Sequence, residues 1–253
     1  MARVFYEQGH HVVATDVNTA GMTSLTAGWN ADRVLTAPMD VRRADDWQHV
    51  IAETLTRWGR IDVGLNIAGI VRPGYVAEFA LSDVDLMVDV NLKGLMLGTR
   101  LLAEQMVRQG GGHIVNIASL AGVAPIQGLS VYSATKFAVR GFTLAAAGEL
   151  RKQGVRVSCI CPDLVDTNMV ADQLNHPAGA LSFSGGRILT VQDVERAIVH
   201  DALERHKLEV LIPGGRGWLG KLGNLFPGVG FTLTDALVRK GLKKQAAMRE
   251  ERH

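Results

Sequence analysis

The chain has 253 residues, 47% of them apolar and 21% charged, with 27 Lys and Arg against 25 Asp and Glu. That composition is that of a folded globular protein and excludes disordered, collagen-like and coiled-coil chains. A net charge of +2 makes no electrostatic case for nucleic acid.

The chain alternates short apolar runs with longer helical patterns. His11 to Thr15 reads as a strand ended by Asp16, and Arg33 to Thr36 as a second, leading to Asp40 and Val41. Ile61 to Asn66, His113 to Ile117, Val155 to Cys161 and Leu208 to Ile212 complete the set. Their apolar residues run continuously rather than alternating, which predicts strands covered on both faces. Between them, Ala44 to Trp58 carries Trp47, Val50, Ile51, Leu55 and Trp58 at helical spacing. Ser82 to Arg108 (with Ser82 as N-cap), Ser130 to Lys152 and Val191 to Glu204 are the other predicted helices. This order predicts an α/β fold: a doubly wound, Rossmann-like parallel sheet with helices on both faces. Residues 1–215 form the predicted catalytic domain and 216–253 a basic helical tail of the same domain.

Cysteine and histidine usage narrows the chemistry. Cys159 and Cys161 are the two cysteines, too few for a disulfide scaffold or a four-thiolate zinc site, and they read as core thiols. The eight histidines are scattered without metal-ligand spacing, so no metal is expected. Arg3, Glu7, His10 and His11 interrupt any secretory signal, and no apolar run reaches the ~18 residues of a membrane span. A cytoplasmic location is expected.

Ser119, Tyr132 and Lys136 are the strongest constellation. Ser119 follows a buried strand, at the carboxyl edge where open α/β sheets place ligands. Tyr132 and Lys136 are four apart on one helix face. A free phenol, with a pKa near ~10, is too weak an acid for neutral pH, and a neighbouring ammonium is expected to lower that value. A serine hydroxyl beside it holds a substrate oxygen, so the three suit proton transfer to or from that oxygen. Both a catalytic site and a solvated helix face are open to a lone Tyr-x-x-x-Lys.

Further motifs give a family resemblance. Asn66-Ile67-Ala68-Gly69 is similar to an N-N-A-G segment, Asp89 to Gly94 (DVNLKG) to a conserved-asparagine helix, and Asp40-Val41 to an adenine-contacting pair. Ile117-Ala118-Ser119 and Tyr132-Ser-Ala-Thr-Lys136 are similar to serine and tyrosine–lysine segments. Pro162 to Thr167 (PDLVDT) is similar to P-G-x-V-x-T, with Asp163 where the pattern has Gly. Together, from residue 1 to about Gly214, the chain resembles the single-domain short-chain dehydrogenases/reductases. The resemblance implies hydride transfer between a nicotinamide cofactor and an alcohol or ketone. It implies Tyr132 as acid/base, Lys136 as its tuner and ribose ligand, Ser119 (with Tyr132) against the substrate, and Asn91 as holder of a relay water. Asp16, Asp40, Val41, Asn66, Ala68, Gly69, Pro162, Val165 and Thr167, with Tyr132 and Lys136, would contact the cofactor. Asp16 has no basic neighbour, so NAD is expected over NADP: a carboxylate accepts from ribose hydroxyls and repels a ribose phosphate. A homodimer or homotetramer, built through the two long helices, is implied as well.

One part of the pattern is missing. The family opens with a strand and a glycine-rich loop that precedes the ribose carboxylate by about 20 residues. Asp16 lies only 15 residues after Met1. The loop would then sit upstream of Met1, and the expectation is either a longer native chain or one that binds cofactor poorly. Loss of a central strand would leave two facing edges with unpaired backbone groups. A catalytically silent binding scaffold and a nucleotide-sugar epimerase or dehydratase using the same Tyr–Lys pair remain as rivals.

Two other stretches stand out. Residues 168–190 lie where the family places its substrate lid; Met169, Val170, Leu174, Leu181 and Phe183 form a pocket or pack on the core, with Gly185-Gly186 as a hinge. The tail carries eight Lys or Arg and three acids, a net +5 that leaves −3 on the rest. Trp218, Leu219, Leu222, Leu225 and Phe226 have roughly helical spacing. The tail reads as a solvated helix, a subunit contact or an anchor on a membrane surface. Its likeness to tails of family members acting on steroids, retinoids or long-chain lipids implies a lipophilic substrate.

Overall fold

A computed structural model describes residues 1–225 and 227–250, so Phe226 of the tail stripe lies outside the described residues. The elements run α1 (Ala2–Glu7), β1 (Val12–Asp16), α2 (Thr19–Thr26), β2 (Val34–Pro38), α3 (Ala44–Trp58), β3 (Val63–Asn66), α4 (Leu81–Val88) and α5 (Gly94–Arg108). They continue as β4 (Gly112–Ile117), α6 (Ser130–Leu150), β5 (Val155–Pro162), α7 (Asn168–Leu174), α8 (Val191–Arg196), β6 (Glu209–Ile212), α9 (Gly214–Leu225) and α10 (Pro227–Glu250). All six predicted strands form. All pairings are parallel, as the helical crossovers require.

Continuous apolar runs become strands buried on both faces. Ile114 of β4 joins Trp47, Ile51, Leu102, Met106 and Val157 on one side of the sheet. Val115, its neighbour, packs with Ile160, Ile198 and Val210 on the other. Cys159 and Cys161 are fully buried free thiols against Leu95, Leu120 and Val139.

The sheet is divided. β1 and β2 form one pair, and β3-β4-β5-β6 form a separate four-stranded sheet. Between β1 and β3 lies a cavity of about 1560 Å³, lined by Val12 to Asp16 on one wall and Val63 to Asn66 on the other. Facing parallel edges are what the sequence reading anticipates. Such edges carry one unpaired row of N–H and C=O groups each.

Two predicted helices are not continuous α-helix. Ser82 to Arg108 becomes α4 and α5 joined by a π-turn over Asp89–Lys93. Ala80, not Ser82, stands at the N-cap of α4. The wider turn accommodates Asn91, which is fully buried and bonded to the Ile70 backbone. Single π-turns inside α-helices are frequent at functional sites. Val191 to Glu204 likewise passes into a π-turn at Ala197. α10 lies on the short 3₁₀ segment Pro177–Ser184, and α9 packs on β6. Among the described residues, no helix is long and apolar enough to cross a membrane, and no group of three or more His, Cys, Asp or Glu is placed to hold a metal.

Candidate active site

The catalytic candidates converge at the carboxyl ends of β4 and β5. Ser119 is held two residues past β4: its hydroxyl donates to the Pro162 carbonyl (3.3 Å) and accepts from the Ala121 N–H (3.1 Å). The Ser119 hydroxyl also lies near enough to the Tyr132 phenol to favour its ionised form. Tyr132 and Lys136 lie one turn apart on α6, and the Lys136 ammonium is 5.7 Å from the centre of the phenol ring. Lys136 is buried, and its Nζ donates to the Ile117 carbonyl at 3.0 Å. That bond uses one of three ammonium donors and leaves two for a ligand.

Asn91 enters from the π-turn. Its Oδ1 accepts from the Ile70 N–H (2.7 Å), and its Nδ2 donates to the Ile70 carbonyl (2.9 Å) and to Thr135 Oγ1 (3.3 Å). Both amide hydrogens are thereby engaged, so a further ligand can only donate to Oδ1. Gly69 is the point of closest approach. A Cβ there would lie 3.4 Å from Asn91 Oδ1 and 3.5 Å from Lys136 Nζ. These are ordinary contact distances, so Gly69 sets the backbone of the Asn66 to Gly69 segment directly beside both polar groups.

The electrostatics depart from the sequence expectation. Lys136 was expected to lower the phenol. Instead, burial pushes Tyr132 up to about 12, and the Ser119 hydroxyl offsets only part of this. The same burial lowers Lys136 to about 8, because an enclosed ammonium loses its hydration. At neutral pH the pair is a phenol beside an ammonium, a form ready to donate a proton.

The cofactor candidates divide into two groups. Asp16, Asp40, Val41, Asn66, Ala68 and Gly69 line the cavity between the two sheets. Asp16 is exposed at the end of β1 and accepts from the Asn18 N–H at 2.9 Å. Asp40 is engaged by Arg42, whose Nη2 donates to it at 2.6 Å and holds its carboxyl below the usual range. Val41 accepts from the Trp47 indole through its carbonyl (3.0 Å). Asn66 behaves differently. Its Nδ2 donates to Thr99 Oγ1 (3.1 Å) and Asn116 Oδ1 (2.7 Å), within a buried network that Thr143 completes. Its side chain therefore ties β3 and β4 to α5 and α6. Pro162 is buried and presents its carbonyl to Ser119; Val165 forms a bridge with Leu189, and Thr167 is exposed with its hydroxyl on the Val165 carbonyl.

Asp163, the departure from P-G-x-V-x-T, finds its partner in the tail. Arg216 Nε lies 2.9 Å from its carboxylate, and Arg216 also donates to Ser184 Oγ at 3.1 Å. Burial raises the Asp163 carboxyl, and Arg216 opposes that rise. Lys244 donates to the carbonyls of Gly185 (3.2 Å) and Gly186 (3.0 Å), so α10 pins the predicted hinge. Of the expected pocket residues, Val170, Leu174 and Phe183 pack as a buried cluster with Leu164, Ile188 and Met248. They are core. Met169, by contrast, reaches Gly69. Thr135 and Arg216 were not singled out from sequence. Thr135 sits inside the Tyr132 to Lys136 segment, where its spacing from Tyr132 was readable, whereas nothing local marks Arg216.

Comparison with known proteins follows this geometry. A family model described as short chain dehydrogenase matches residues 1–178. An uncharacterised oxidoreductase of Staphylococcus aureus (strain MW2) is 30% identical over 200 residues, covering 79% of this chain and 83% of that protein. A 3-alpha-(or 20-beta)-hydroxysteroid dehydrogenase of Mycobacterium bovis is 39% identical over 139 residues, covering 55% of this chain and 54% of its own length. Among solved structures, the closed form of serine dehydrogenase complexed with NADP+ superposes with a TM-score of 0.74 at 30% identity, covering 83% of this chain and 87% of that one.

Proposed function

The chain belongs to the short-chain dehydrogenase/reductase family and is an NAD(P)-binding oxidoreductase; from that premise we propose that it interconverts an alcohol and its ketone, with Tyr132 moving the proton. One observation carries the reading: Ser119, Tyr132 and Lys136 lie together at the carboxyl ends of β4 and β5, and Lys136 and Asn91 both border Gly69. Ser119 and Tyr132 hold the substrate oxygen. In reduction, the Tyr132 phenol gives its proton to that oxygen as the carbonyl carbon gains hydride. In oxidation the proton returns to Tyr132. Bound NAD(P) supplies the hydride donor or acceptor.

The chain's residues fit the two ends of that cofactor. Gly69 leaves the close approach that a Cβ would fill beside Asn91 and Lys136, and Lys136 keeps two free donors for ribose hydroxyls. Asp16 presents an exposed carboxylate to the cavity that Asp40, Val41 and Ala68 share, while Pro162, Val165 and Thr167 form the segment beside the reacting end. Our reading is NAD rather than NADP, on the strength of Asp16; the serine dehydrogenase neighbour holds NADP+, so the two cofactors must be compared directly. A lipophilic substrate is part of the proposal, supported by the likeness to the hydroxysteroid dehydrogenase. So is a cytoplasmic homodimer or homotetramer: an apolar cleft of about 490 Å³ between α5 and α6, lined by Leu92, Met96, Phe142 and Ala146, suits a subunit contact.

The test is net cofactor turnover with steroid-like alcohols, with serine, and with each cofactor. Accumulation of reduced cofactor with an alcohol supports the dehydrogenase. A cofactor that returns unchanged while product forms indicates an epimerase, and no turnover with any of them indicates a silent scaffold.

A further inference from the structure

The helix that follows the last strand is oriented against the usual rule. An amphipathic helix on a globular protein turns its apolar stripe inward. α9 turns glycines inward instead. A Cβ at Gly217 would lie 2.5 Å from Leu211 Cβ, and one at Gly220 would lie 3.2 Å from Ala124 Cβ. Its apolar side chains face solvent: Trp218 is 62% exposed, Leu219 70%, Leu222 57% and Leu225 69%. Residues 218, 222 and 225 fall on one stripe, with 219 beside it. Large, contiguous apolar surface on a soluble domain marks an interaction site.

Charge identifies the partner. α10, which packs beside α9, exposes Arg239, Lys240 and Lys243, with Leu237 and Leu242 half-exposed on either side of them. None of these three cations has a salt bridge among the described residues. Arg216 and Lys221 are different: they are already committed to Asp163 and Glu209. Asp235 is the exposed acid nearest them in sequence. A second copy of the chain would bring the same positive charge to the contact, whereas an anionic surface is attracted to it. A tryptophan and leucines in a stripe, flanked by basic residues, match the chemistry of a helix lying in the headgroup region, with lysine and arginine stems reaching up to the phosphates.

We propose that α9 docks flat on an anionic lipid surface through Trp218, Leu219, Leu222 and Leu225, with Arg239, Lys240 and Lys243 of α10 binding its phosphates. α9 begins two residues after β6 ends, at the sheet edge that also carries Ser119, and Gly220 faces Ala124 of the segment following Ser119. Docking would thus bring the site's edge of the sheet toward the lipid. The binding itself does not depend on the reaction proposed above.

The experiment is sedimentation of the full chain with vesicles of phosphatidylcholine alone and of phosphatidylcholine mixed with phosphatidylglycerol, at low and high salt. Binding to the mixed vesicles, weakened by salt, is the expected result. Leu219→Glu with Leu222→Glu should weaken it by about tenfold or more for each leucine. Arg239→Gln, Lys240→Gln and Lys243→Gln should each weaken it about fivefold. These side chains are exposed, so circular dichroism and melting temperature should stay those of the parent. Three results would overturn the proposal: no binding to anionic vesicles, equal binding to neutral and anionic ones, or binding that the leucine pair does not change. A fall in oligomeric mass on Leu219→Glu with Leu222→Glu, without vesicle binding by the parent, would assign the stripe to a second copy instead.

Discussion

Ser119, Lys136 and Asn91 stand on or beside the four-stranded sheet, each held by hydrogen bonds to its neighbours, with Tyr132 one turn from Lys136 on α6. Asp16 ends β1 of the separate two-stranded sheet and Asp40 follows β2, across a cavity of about 1560 Å³. Proton transfer needs groups fixed to within a fraction of an ångström, and the first region supplies this from its own backbone carbonyls and amides. Cofactor affinity needs both regions at a set separation. Under the proposed function, proton transfer and the grip on adenosine rest on different parts of the fold, so each can fail without the other.

Replacing the proton donor breaks the comparison most sharply. Tyr132→Phe is expected to cut turnover by on the order of 10²–10⁴-fold. Because the cavity between the sheets is untouched, its cofactor affinity, read by fluorescence titration, should stay within a few-fold of the parent. Asp16→Asn should do the converse. Losing a charged hydrogen-bond acceptor for the ribose weakens NAD binding by about tenfold or more. It also removes the repulsion of a ribose phosphate, so the ratio of kcat/KM for NAD to that for NADP should fall while kcat holds.

The tail's hold on Asp163 gives a smaller effect. Arg216→Ala leaves the Asp163 carboxylate without its cation, 2.9 Å away in the parent. The Arg216 side chain is a third exposed, so a loss of about 1–3 kcal/mol is expected in denaturant unfolding, short of that for a fully buried pair. Adding Asp163→Gly should restore most of it. Recovery of the double variant would show that Asp163 and Arg216 replace the glycine of the P-G-x-V-x-T pattern as a unit.

The pH profile is the mildest test. Burial lowers Lys136 to about 8, so its charge is present below that pH and lost above it. Burial raises Tyr132 to about 12, so the phenol keeps its proton across the neutral range. The proposed ketone reduction takes its proton from the phenol beside a charged Lys136. Its kcat/KM should be flat up to about pH 8 and decline above it. Alcohol oxidation needs the phenolate, whose population grows with pH, so its optimum should lie at higher pH than that of reduction.

The strands were legible because both sheet faces are covered, which writes runs such as Val155 to Cys161 as unbroken apolar stretches. Ser119, Tyr132 and Lys136 were legible because strand end and helix spacing place them locally. Asn66 was less so: nothing local shows that its amide turns into the network with Thr99 and Asn116. The π-turn at Asn91 depends on a contact with Ile70, 21 residues away. Arg216 on Asp163 and Lys244 on Gly185 span still longer separations. The phenol's upward shift depends on how completely the fold encloses it, and residue spacing carries no such information. Local chemistry was readable, and long-range partners were not.

The most direct measurement is reduced-cofactor absorbance followed with the parent chain and Tyr132→Phe side by side, over a panel of alcohols and ketones with NAD(H) and NADP(H). The account predicts a net change in reduced cofactor for the parent with at least one alcohol–ketone pair and none above background for Tyr132→Phe. Equal rates in the two proteins would contradict it, because the proton would then be moved by a group other than Tyr132.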